Sequence, residues 1–64
     1  MNEFELAFQH QINVLNIKRK DVAEAMGVTM PTLKSKLRNP ERITLGDLHT
    51  FKELNFNLNQ LLEL

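Results

Sequence analysis

Only three residues, Gly27, Val28 and Thr29, separate two stretches that each read as a short helix, and this junction limits the fold more than any other feature of the chain. Val22, Ala23 and Met26 form an apolar stripe over residues 19–26, preceded by Lys18, a poor N-cap because it lacks an acceptor oxygen. Gly27 supplies the left-handed position on which such a helix can end and turn sharply. Thr29 caps the next helix, over residues 30–38, and Pro31 falls in its first turn, where a missing N–H costs nothing. Leu33 and Leu37 make its apolar face, and Asn39-Pro40 stops it, since the residue before a proline avoids the helical region. Ala23 keeps the side chain small where the helices approach, Val28 plugs the turn, and Leu33 anchors the second helix. The pattern predicts a tight crossing that leaves the outer face of the second helix exposed.

The flanks read as three more helices. Phe4, Phe8, Ile12 and Leu15 share one face of a helix from about Glu3, with Asn2 as N-cap and Glu5 three residues on. Leu45, Leu48, Phe51 and Leu54 recur every three residues behind Thr44 and Asp47, and Leu58, Leu61 and Leu62 follow a cap at Asn57. Nothing reads as a strand. The 64 residues therefore predict a single all-α domain of five helices. Its expected core is Phe8, Ile12, Leu15, Val22, Ala23, Met26, Val28, Leu33, Leu37, Ile43, Leu48, Phe51 and Leu61.

Composition removes most chemistry. Without cysteine there are no disulfides, thiolate ligands or thiol nucleophiles, which fits an intracellular, cytoplasmic protein. No apolar run exceeds three residues, against the roughly 20 needed to span a bilayer. His10 and His49 stand alone on separate helices, so no metal site is expected. The acids show no paired arrangement for acid–base work, Ser35 has no evident base beside it, and no glycine-rich phosphate loop is present. No enzyme activity, cofactor or small-molecule substrate is expected. The net charge of zero conceals a division. Residues 18–42 hold seven bases (Lys18, Arg19, Lys20, Lys34, Lys36, Arg38, Arg42) and three acids, a net of +4, whereas the remainder holds one base and five acids, a net of −4. Such segregation gives a neutral protein one basic side.

Taken together, Val22-Ala23, Gly27-Val28-Thr29 and Leu33 resemble the phage repressor/Cro-type (lambda-repressor-like) helix-turn-helix family. Ile43-Thr44-Leu45 with Leu48, and Leu54 to Leu58, look like that family's fourth and fifth helices, so the resemblance covers about residues 4–62. It implies a compact five-helix DNA-binding domain: a small regulator of transcription, from a phage or a prokaryote, that binds double-stranded DNA and pairs into a weak homodimer. It places Met30, Pro31 and Ser35 toward the bases, with Lys34 beside them, and Arg19 on the phosphate backbone. Lys18, Lys20, Thr32, Lys36, Arg38, Asn39 and Arg42 are further phosphate candidates. Met30 and Pro31 cannot form the bidentate bonds that read a purine but can pack on thymine methyls. The expected dimer surface is the end of the chain: Phe56, Leu58, Leu61, Leu62 and Leu64. The same helices without DNA would suit a protein-interaction module, an inhibitor or adaptor, and the apolar Met30-Pro31 tip keeps that alternative open.

Overall fold

A computed structural model describes residues 2–62, which form α1 (Glu3–Leu15), α2 (Arg19–Met26), α3 (Met30–Arg38), α4 (Leu45–Glu53) and α5 (Leu58–Leu62). A single 3-10 turn, Pro40–Arg42, joins α3 to α4, and no strand occurs among the described residues. The five expected helices are present with bounds within a residue of those read from the sequence. The 3-10 turn was hidden behind the stop signal at Asn39-Pro40.

Three of the helices end by one device. Asn16 (φ 58°), Gly27 (φ 73°) and Asn55 (φ 74°) each take the left-handed conformation that glycine and asparagine tolerate best. In each case the N–H of the following residue bonds to the carbonyl five residues back: Ile17 to Ile12, Val28 to Ala23 and Phe56 to Phe51, at 3.0–3.1 Å. The left-handed residue's own N–H reaches Asn13, Glu24 and Lys52 in turn. This doubled bond is the Schellman arrangement, and it turns the apolar residue after the cap back onto the helix it has just left. At Gly27 an added Cβ would meet no atom within 4 Å, so the glycine answers to the dihedral and not to crowding.

The core gathers where those turned-back residues meet. Phe8, Ile12, Val22, Ala23, Leu33, Leu37, Phe51, Phe56 and Leu61 are buried. Phe8 stacks on Phe56 with ring centroids 5.5 Å apart, and Phe51 lies 5.1 Å from Phe56. Leu15, Met26, Val28, Ile43 and Leu48, all expected in the core, pack against it half-buried. Two expectations need correcting. Phe56, placed on a dimer surface from the sequence, is only 6% exposed, because the left-handed Asn55 swings it against Phe51. Leu45, read as part of the α4 stripe, is 85% exposed, and the first turn of α4 turns Asp47 and Leu48 inward in its place.

Two side-chain amides, Gln11 buried and Asn2 exposed, tie the helices in register. Gln11 donates from Nε2 to the Asn57 carbonyl (2.8 Å) and accepts the Asn57 N–H at Oε1 (2.6 Å), so one amide satisfies both backbone groups at the entry to α5. Asn2 accepts the Glu5 N–H at Oδ1 and donates from Nδ2 to the carbonyls of Leu37 and Arg38, capping α1 and closing α3 together. Gln11→Leu is expected to cost about 1–3 kcal/mol, since it leaves the Asn57 N–H without its partner, while the Asn57 carbonyl keeps the Leu61 N–H at 3.0 Å. Urea unfolding of the variant measures it. An unchanged midpoint would mean that water replaces the amide.

Candidate nucleic-acid interface

Helix α3 is held from three directions. Leu33 and Leu37 bury its inner face, the Thr29 hydroxyl accepts the Thr32 N–H at its start, and Asn2 ties its last carbonyls. An ion pair adds a further hold: Lys36 Nζ bonds to Asp47 Oδ2 on α4. Between these anchors Met30, Pro31, Thr32, Lys34 and Arg38 stand exposed on the outer side, with Ser35 half-buried among them.

Two shallow hollows flank this outer side. One, of about 390 Å³, is lined by Arg19, Met30, Pro31, Leu33 and Lys34; the other, also about 390 Å³, by Pro31, Lys34, Ser35, Arg38 and Asn39. Pro31 and Lys34 line both and so form the ridge between them. All four residues expected to face bases, Met30, Pro31, Lys34 and Ser35, therefore lie together on this one surface.

The expected phosphate-binding residues divide into groups. Lys18, Lys20, Arg38 and Arg42 are exposed, as is Lys34, and none of the five has an ion-pair partner among the described residues. Arg42 donates from Nη1 to Ser35 Oγ at 2.8 Å, which brings the 3-10 turn alongside α3. Thr32 and Asn39 are exposed but engaged locally, Thr32 with Thr29 and Asn39 with the Ser35 carbonyl. Arg19 is drawn toward α1: it donates from Nε and Nη2 to Gln9 Oε1 (3.1 and 2.9 Å), sits 3.5 Å from Glu5 Oε2, and lies 5.7 Å above the Phe8 ring. A quarter of its side chain, 26%, still faces out along the first hollow.

Lys36 departs from the expectation of a phosphate contact. Its side chain is 16% exposed and Asp47's is 9%, so the ammonium is spent inside the protein. Burial alone would push the Asp47 carboxyl up. The hydrogen bond from Lys36, the Thr44 N–H at 3.0 Å and the nearby positive charge outweigh that and hold it below the ordinary carboxylate value. From its spacing Asp47 reads only as a capping residue, and a lysine eleven residues upstream carries no local signal of the pairing.

At the other end of the chain Phe56 and Leu61 lie in the core, Leu58 and Leu62 are half-buried, and Leu64 falls outside the described residues. Among the described residues the large apolar side chains that stand exposed are Leu6, Val14 (71%), Met30 and Leu45. Among the described residues no three His, Asp or Glu side chains converge as metal ligands, and no helix is long and apolar enough to cross a membrane. Compared with protein-family models, with curated proteins and with solved structures, the chain matches none.

Proposed function

We propose that the protein binds double-stranded DNA through α3, as a small transcriptional regulator of the Cro type, with α2 crossing the backbone and the start of α3 entering the major groove. One observation carries this reading: a helix fixed on its inner side by Leu33, Leu37 and the Lys36–Asp47 pair presents outward two unpaired cations, Lys34 and Arg38, and has a third, Arg42, bonded to it. Lys18 and Lys20 at the start of α2 supply further charge for phosphates. The protein acts, in this reading, inside a prokaryotic or phage-infected cell. A homodimer is part of the proposal, but with Phe56 and Leu61 in the core its face has to be sought elsewhere than in those two residues.

Anisotropy of a labelled duplex titrated between 50 and 200 mM salt tests it. If four or so cations neutralise phosphates, log Kd should rise against log salt with a slope of about 4, a loss of roughly two decades over that range. Lys34→Ala and Arg38→Ala should each reduce the slope by about 1, while Lys36→Ala leaves it unchanged. Absence of duplex binding at 50 mM salt would overturn the reading. It would favour the second one, a protein-interaction module, whose supporting observation is the hollow that Met30, Pro31 and Leu33 floor with apolar surface.

A further inference from the structure

Hydrogen-bonding groups on the outer side of α3 are almost all of one kind. Lys34, Arg38 and Arg42 can only donate. Ser35 would ordinarily be ambivalent, since a hydroxyl both gives and takes a hydrogen bond. Here its oxygen accepts from Arg42 Nη1 at 2.8 Å, and its hydrogen is given to no acceptor among the described residues. Thr50, on α4, shows the alternative: its hydroxyl donates to the Gly46 carbonyl four residues back. Arg42 occupies one of the two lone pairs of the Ser35 oxygen, and its guanidinium favours an O–H turned away from it, so the hydrogen is the group left for a partner outside the protein. Thr32 repeats the arrangement nearer the start of the helix, where its oxygen accepts from the Thr29 hydroxyl at 3.1 Å and leaves its own hydrogen free. The other groups, Met30 and Pro31, offer apolar contact only. Asn39, which brings an amide oxygen, lies past the last turn of α3 and away from the end that enters a groove.

From this arrangement we infer that the interface reads the hydrogen-bond acceptors and thymine methyl groups of the major groove and leaves the base amino groups unread, with Arg42 as the positioning residue that fixes Ser35 as a donor. The inference rests on the DNA-binding reading above. In the major groove guanine offers two acceptors, O6 and N7, adenine N7, and thymine O4 beside a methyl group; cytosine N4 and adenine N6 carry only donors. A surface of donors meeting an amino group faces donor with donor and makes no bond. Guanine is bonded by Lys34 or by Ser35, thymine by a donor together with Met30 or Pro31. Adenine is felt only through N7, and cytosine only through its partner guanine.

Atom deletion in a bound duplex tests this directly. A site is first selected from a random duplex pool. Single bases are then replaced by 7-deazaguanine or 7-deazaadenine, which lack the N7 acceptor, by uracil in place of thymine, which lacks the methyl, or by purine and 2-pyrimidinone in place of adenine and cytosine, which lack the amino group. Deleting acceptors or methyls at contacted positions should weaken binding about tenfold, and deleting amino groups should change it less than twofold. In Arg42→Ala the lone pair held by Arg42 is released and the hydroxyl is free to turn, so Ser35 can accept as readily as donate and an amino deletion at the base facing it should become visible, at threefold or more; a merely structural or phosphate-binding arginine would leave that profile flat. Amino deletions that weaken binding to the parent protein, or acceptor deletions without effect, overturn the inference while the DNA reading stands. A flat profile in Arg42→Ala removes Arg42 from the positioning role. Failure to select any duplex overturns both readings together.

Discussion

Phe8→Ala should remove about 3–5 kcal/mol, about a third or more of the stability available to a domain of this size. The ring is fully buried, stacks on Phe56 and lies 6.1 Å from Phe51, and its far face backs the Arg19 guanidinium. Truncating a phenylalanine in such a place costs about 3–5 kcal/mol, because the lost transfer energy is compounded by a cavity that the neighbours fill only in part. A domain of this size has about 3–10 kcal/mol to lose, at roughly 0.05–0.15 kcal/mol per residue. Three aromatic rings from α1, α4 and the α4–α5 junction make up much of the large-volume core, and removing Phe8 takes away the ring through which α1 meets both Phe51 and Phe56. Far-UV circular dichroism and urea titration provide the measurement. Phe8→Leu, which keeps most of the volume, should remain folded with a midpoint lowered by about 4–8 °C per kcal/mol lost. A Phe8→Ala variant that unfolds cooperatively within about 1 kcal/mol of the parent would show that the aromatic cluster is not the centre of the core.

That cluster marks the boundary between what could be read in the residues and what could not. Helix spans followed from local chemistry: Thr29, Thr44 and Asn57 as caps, Gly27 as the left-handed stop, and apolar residues at helical spacing. Those signals act within one turn, so a sequence displays them directly. The position of Phe56 required one more step. Ile12 to Ile17, Ala23 to Val28 and Phe51 to Phe56 repeat a single pattern, an apolar residue, then asparagine or glycine four residues on, then a second apolar residue. Only the glycine copy stood out from the sequence. The asparagine copies carry the same left-handed backbone, and recognising them would have moved Phe56 from the surface to the core. The groove-facing residues were legible because the helical period divides α3 into a buried side, Leu33 and Leu37, and the rest. By contrast, the commitments of Arg19 to Gln9 and Glu5, of Arg42 to Ser35 and of Lys36 to Asp47 depend on how separate elements pack, and a side chain's charge does not announce its partner. A tally of positive charge over residues 18–42 therefore overstates what is available to a ligand, since Lys36 is internally neutralised and Arg19 is largely so.

Lys36→Met should lower stability at neutral pH by about 2–4 kcal/mol and, at the same time, flatten the acid limb of the stability profile. The larger figures for breaking a buried pair apply to an uncompensated charge. Here Asp47 keeps the N–H of Thr44 at 3.0 Å and some access to solvent, which moderates the loss. The sign of the pH effect follows from linkage. In the parent protein the Asp47 carboxyl titrates below its unfolded value, so its contribution is complete above about pH 4, the ordinary range for an unfolded aspartate, and is lost as pH falls through the folded value. Without Lys36 both the strongest bond and the nearest charge disappear, and burial, which favours the protonated acid, is left opposed only by Thr44. The folded and unfolded values then converge or cross, and acidification no longer destabilises through this group. Asp47→Asn removes the charge but keeps an oxygen that can accept the Thr44 N–H, so it should cost less than Lys36→Met at pH 7, and the double variant should cost less than the sum of the two. Urea midpoints at pH 3, 5 and 7 for the four proteins close the cycle. Additive losses with an undiminished acid limb in Lys36→Met would mean that the pair contributes nothing beyond a screened surface contact. The same variant separates folding from recognition: measured well below its melting point, it should keep the parent's salt dependence on a duplex, whereas Lys34→Met should lose about one unit of that slope with its stability intact. Two lysines two residues apart on one helix thus have opposite assignments, one turned inward to hold α3 on α4 and the other outward to what α3 meets.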